Sequence, residues 1–113
     1  MNTPLTAQWA EKLELLDHAF QPIARFADGS AYGFEALLRG WDEAGFSSIA
    51  DVFDTAFNER VLYALDLGLR AKAFAKFAAS GLGTGKLFYN VDNRLLQMPD
   101  YSTGNTLRLA REV

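Results

Sequence analysis

Cysteine is absent from the 113 residues, which excludes a disulfide framework, a thiolate metal site and a cysteine nucleophile. The absence fits a reducing cytoplasm. Histidine occurs once, at His18, so a multi-histidine metal centre is excluded, and the residue reads as an ordinary one at an element boundary. Positive charge is not in excess either. A formal net charge of -3 and a pI near 5.0 give no electrostatic case for binding duplex nucleic acid. No apolar run approaches the roughly 20 residues needed to span a bilayer. The first residues lack the basic-then-apolar order of a secretory signal. The expectation is a soluble cytoplasmic domain without a membrane segment.

What is present is apolar and aromatic. Half the residues are hydrophobic and nine are Phe, enough to bury a core and unlike a disordered chain. The length suits one small domain or part of a larger one. Pro4 suits the first turn of a helix over residues 5–17, whose Trp9, Leu13 and Leu16 fall near one face. His18 to Phe26 reads as a strand near an edge or beside a bulge, because Pro22 lies inside it. Ala27-Asp-Gly-Ser30 is a turn, and a strand from Tyr32 to Arg39 completes an antiparallel hairpin. Ser47 or Ser48 caps a helix starting near Ile49. Asn58 caps a second, from Glu59 to about Ala79, with Leu62, Leu65, Leu69 and Ala73 along one stripe. The Gly-rich segment from Ser80 ends that helix. A strand over residues 86–92, a loop over 97–101 and the start of a helix at Thr106 follow. Helix-then-strand alternation predicts a parallel α/β arrangement.

Two polar residues stand out inside apolar strands. Glu35 is a carboxylate in the run Tyr32-Gly-Phe-Glu-Ala-Leu-Leu-Arg39, where burial is costly without a compensating group. It is either an edge-strand acid that faces solvent or pairs with Arg39, or a ligand to a hard cation such as Mg²⁺, which takes oxygen donors. Asn90 lies in Leu87-Phe-Tyr-Asn-Val91. It is either a core amide satisfied by the backbone or an amide oxygen in the same metal shell. Acid and amide at the ends of successive strands suit the place where α/β folds keep their sites. Gln21 and Arg39 read as surface residues or as contacts to a ligand with phosphate or base edges. The Gly81-Leu-Gly-Thr-Gly-Lys86 segment is no phosphate-binding loop. Ser80 stands where the first Gly belongs, Leu87 where Ser or Thr belongs, and a strand follows instead of a helix.

Phe20-Gln-Pro-Ile, the Asp-Gly turn and Gly33-Phe-Glu-Ala-Leu-Leu-Arg39 together resemble the opening of the EAL domain family, named for the Glu-Ala-Leu triplet. Phe88-Tyr-Asn-Val-Asp92 resembles the strand that carries the family's metal-binding Asn. The likeness divides the chain into a lead-in helix over residues 1–17 and an N-terminal portion of an EAL domain over 18–113. It implies an α/β fold, a TIM-like (β/α) barrel whose first strand is antiparallel, with only its first part present. It also implies hydrolysis of cyclic di-GMP to the linear dinucleotide with Mg²⁺ or Mn²⁺ in a bacterial signalling protein, with further signalling domains fused to it. On this likeness Glu35 and Asn90 match metal ligands, while Gln21, Leu38 and Arg39 match positions lining the substrate. The family's later elements are a Glu-Ile-Thr-Glu-like strand, an Asp-Asp-Phe-Gly loop, a Lys-Ile-Asp strand and a further Glu. None of them precedes Val113. The expectation is therefore a fragment inactive by itself, self-associating as an oligomer or strand-exchanged dimer through an unpaired edge. A non-catalytic module that binds the messenger or a protein partner is the alternative.

Overall fold

A computed structural model describes residues 4–82 and 86–97. The first helix, α1 (Ala7–Leu15), starts where the Thr6 side chain accepts a hydrogen bond from the Trp9 amide. Strand β1 (Asp17–Ala24) and strand β2 (Ala31–Arg39) form the expected antiparallel hairpin. Helix α2 (Ile49–Asn58) is capped by Ser48, whose hydroxyl accepts from the Asp51 amide at 3.0 Å. Helix α3 (Leu62–Ala79) leads to strand β3 (Lys86–Tyr89), which pairs parallel with β2. A 3-10 turn, Asn93–Gln97, follows.

The α/β class holds, but the TIM-like barrel does not. The described residues form three helices and a three-stranded mixed sheet in the order β1-β2-β3. A barrel of that kind closes eight strands on themselves. Here β1 and β3 stand at the two edges of an open sheet. Smaller corrections concern the caps. Asn58 is the last residue of α2, and Val61, without a side-chain hydrogen bond, precedes α3. Arg60, between the helices, takes a left-handed backbone with φ 65°, which turns the chain without a polar cap. Strand β3 ends at Tyr89, so Asn90 lies just past it. Residues 83–85 of the Gly-rich segment, most of the 97–101 loop and the helix expected from Thr106 lie outside the described residues.

Pro22 sits in edge strand β1, and the register slips between Ile23 and Ala24 beside it. Proline has no amide hydrogen for a ladder, so an edge position next to an irregularity tolerates it. Alternation along the strands sorts the sheet into two faces. One face packs on α3: Phe20 and Phe34 both meet Phe77, at ring-centroid distances of 5.4 and 5.6 Å, and Tyr89 meets Phe74 at 6.2 Å. The other face carries Gln21, Glu35, Leu37 and Phe88. Gly33 is required here, because a Cβ at that position would stand 2.6 Å from the Lys86 carbonyl oxygen and 2.9 Å from the Phe88 ring. Its absence lets β3 come close enough to pair with β2.

Helix α1 is part of the same core. Trp9 and Leu16 are buried with Leu62, Leu65 and Leu69 of α3. Trp9 stacks on Phe46 at 5.6 Å, and its indole N–H donates to Glu59 at 2.8 Å. Lys72 of α3 donates to the carbonyl of Leu13 at 2.7 Å and also to that of Leu16. A cation on the carbonyls at a helix end satisfies acceptors that the helix itself leaves open.

Candidate functional site

Glu35 lies near the middle of β2, on the sheet face turned away from α3. It is directly opposite Gln21 across the antiparallel pair and opposite Phe88 across the parallel one. Residues facing each other in this way have Cβ atoms about 4.5–5.5 Å apart, within reach of shared ligands. The chain leaving β3 brings Asn90 back over this face. Its amide Nδ2 donates to Glu35 Oε2 at 2.8 Å. The acid is half-buried and the amide exposed. Compensation for the awkward carboxylate thus comes from the Asn90 N–H rather than from Arg39. Arg39 ends β2 on the same face by alternation, is exposed, and donates from Nη1 to the Leu38 carbonyl at 2.9 Å.

Four of the five residues singled out in the sequence therefore share one side or rim of the sheet: Gln21, Glu35, Arg39 and Asn90. Leu38 does not join them. It points to the α3 side, is 7 % exposed and belongs to the core cluster, opposite His18 in register.

The Glu35–Asn90 pair matches a hard cation in donor type but not in donor number. Carboxylate and amide oxygens suit Mg²⁺ or Mn²⁺, which are commonly held by one or two carboxylates with water and substrate phosphate filling the shell. The Asn90 amide presents its nitrogen to Glu35, so ligation requires the amide to turn over and present Oδ1. Nearby Asp92 is committed elsewhere. It accepts from Arg94 at 2.9 and 2.7 Å, and these charge-assisted bonds hold its carboxyl below the usual range. Among the described residues no cluster of three or more His, Asp or Glu side chains could hold a metal ion. Two donors do not clamp a pair of ions, and no reaction step follows from them alone.

A second polar group lies on the other side of β3, inside the core. Asp66 and Arg70, one turn apart on α3, form an ion pair with 1 % and 0 % side-chain exposure. The Tyr89 hydroxyl lies 3.4 Å from the other Asp66 oxygen, and the Arg70 guanidinium sits over the Tyr89 ring. His18 is buried nearby, its ring 6.1 Å from that of Tyr89. Burial pulls its imidazole down to about 4, so it is neutral at physiological pH. Asp66 and Arg70 are buried on α3 together with the Leu residues of its apolar stripe. The readable signal was an Asp and an Arg at i, i+4 amid Leu residues, a spacing that pairs them on one helix face.

No protein-family model matches the chain, and no curated protein matches it. No helix among the described residues is long and apolar enough to cross a membrane.

Proposed function

We propose that this chain carries the opening segment of an EAL-type cyclic di-GMP phosphodiesterase, with Glu35 and Asn90 as the first two ligands of a divalent-ion site. The observation that supports the reading is the 2.8 Å approach of Asn90 to Glu35. Two residues 55 positions apart in sequence, Glu35 in β2 and Asn90 just past β3, are brought to one spot on the open face. Gln21, directly across from Glu35, and Arg39, at the end of the same strand, supply an amide and a guanidinium fork to a phosphate or a guanine edge. Glu35 and Asn90 would contribute two donors to divalent ions, whose chemistry when bound would be to polarise a phosphodiester and activate a water. The sequence through Val113 holds neither the further acids nor the lysine that the family uses, so the 113-residue chain does not turn over the messenger by itself. The open sheet face, with Ile23, Tyr32 and Phe88 partly exposed, and the edges that β1 and β3 present among the described residues favour self-association.

One observation favours a non-catalytic binding module instead: Asn90 turns its amide nitrogen, not its oxygen, toward the Glu35 carboxylate. Calorimetry with Mn²⁺ and cyclic di-GMP separates the two readings. The first expects Mn²⁺ binding that weakens at least tenfold in Glu35→Gln and in Asn90→Ala, and messenger binding that depends on Mn²⁺. The second expects messenger binding indifferent to Mn²⁺. Binding of neither ligand refutes both, and hydrolysis by the purified chain refutes the inactivity. Sedimentation velocity showing only monomer at high concentration removes the self-association.

A further inference from the structure

One opening in the interior lies between the sheet and helices α2 and α3. It is a cavity of about 110 Å³ lined by His18, Ala36, Leu37, Leu38, Ile49, Phe53, Leu69, Tyr89 and Asn90. Its floor and rim differ in character. Leu69 is fully buried and His18 is 4 % exposed, whereas Ile49 is 41 % exposed and Asn90 is also on the surface. The space is therefore reached from the end of the sheet and closes on an imidazole. Among the described residues the Nδ1 atom of His18 has no hydrogen-bond partner. A buried polar atom left so is unfavourable and invites an explanation.

We propose that this cavity binds a neutral, single-ring aromatic molecule bearing one hydroxyl or ring nitrogen, of the phenol class, with its polar atom toward His18. Size supports this class, because an apolar cavity of about 150 Å³ admits benzene, and this one is comparable and open at one end. The walls support a flat apolar body, with the Phe53 and Tyr89 rings set among Leu and Ile side chains. Water is a poor occupant, since a buried water needs two to four polar partners and most of this wall is carbon. The charge state supports neutrality. His18 remains uncharged, held so by burial and by the Lys72 and Lys76 ammonium groups nearby, so it offers an anion no opposite charge. A hydroxyl reaching the floor gives Nδ1 the partner it lacks. The lining shares Asn90 with the metal-ion reading but includes neither Gln21, Glu35 nor Arg39, and the buried His18 takes no part in that reading.

Methyl NMR of the 113-residue chain, titrated separately with phenol and with benzene, tests the proposal. Phenol is expected to shift the Leu38, Leu69 and Ile49 methyls saturably, together with the His18 ring protons, and benzene to bind at least fivefold more weakly. Ile49→Phe, at the exposed rim where folding is not at risk, narrows the entrance and is expected to weaken phenol at least fivefold. Leu69→Phe fills the floor and abolishes binding if that variant folds. The absence of saturable shifts, equal affinity for benzene and phenol, shifts confined to the exposed Tyr32 and Phe88, or phenol affinity unchanged in Ile49→Phe each overturns it.

Discussion

Removing Asp66 alone should destabilise the protein more than removing Asp66 and Arg70 together. Both groups are almost wholly withdrawn from water, and each offsets the charge of the other. In Asp66→Ala the guanidinium stays inside the core without its carboxylate, and breaking a buried pair in this way costs about 3–5 kcal/mol. The Tyr89 hydroxyl loses an acceptor in the same step, adding up to about 1 kcal/mol. A chain of 113 residues has a total stability of roughly 6–17 kcal/mol by the usual per-residue range, so the single change removes a large share. The double change Asp66→Leu with Arg70→Met substitutes apolar groups of similar bulk. Buried pairs replaced in this way are often neutral or more stable, by about 1–4 kcal/mol. Set against the lost Tyr89 contact, the double variant should lie within about 1–2 kcal/mol of the parent. Urea unfolding of the parent, both singles and the double gives the coupling from a thermodynamic cycle. A single variant losing less than about 1 kcal/mol, or a double as unstable as the summed singles, would refute the reasoning.

Two other outcomes follow from features nearer the sheet. Gly33→Ala places a Cβ against the Lys86 backbone, which cannot swing aside as a side chain can. A loss of about 1–3 kcal/mol in urea melts is expected, together with weaker amide protection across β2 and β3 in hydrogen exchange. Unchanged protection argues against the close approach. His18 titrates near 6.5 when unfolded and near 4 when folded, so between those values the unfolded chain binds the extra proton. Stability should therefore rise with pH across that window, by at most about 1.4 kcal/mol per pH unit, and the contribution is fully present above pH 6.5. His18→Phe should flatten this part of the curve, and a slope unchanged from the parent places the titration elsewhere.

The sequence and the fold agree where local signals are strong. Trp9 and Leu13 on α1 with Leu16 at its C-terminal cap, the Asp-Gly turn and the Ser48 cap each write their element into neighbouring residues, and the structure has all of them. Disagreement arises where distance in sequence decides. Asn58 carries the chemistry of a helix cap, but the left-handed turn at Arg60 moves the start of α3 past it. His18 resembles a boundary residue until α3 closes over it. The gathering of Gln21, Glu35, Arg39 and Asn90 could be anticipated because strand alternation fixes which face a residue takes. The same rule sends Leu38 to the opposite face, although the family likeness placed it beside the substrate. The barrel is the largest difference between expectation and structure. It rests on the likeness alone, and the described residues form three strands in an open order, which do not make one.

The lysine clamp on α1 bears on how the protein is made. Lys72 reaches the Leu13 and Leu16 carbonyls across 59 and 56 residues of sequence, and Lys76 reaches the His18 carbonyl across 58. Trp9 likewise depends on Glu59, 50 residues further on. During synthesis the first helix and edge strand leave the ribosome well before the residues that hold them in place. Contacts so distant in sequence form late, after the loop between them has closed. Until α3 has been made, Trp9 and Leu16 remain exposed on the nascent chain. That interval adds to the open sheet face of the finished fold a second occasion for capture by a chaperone or by another copy of the chain.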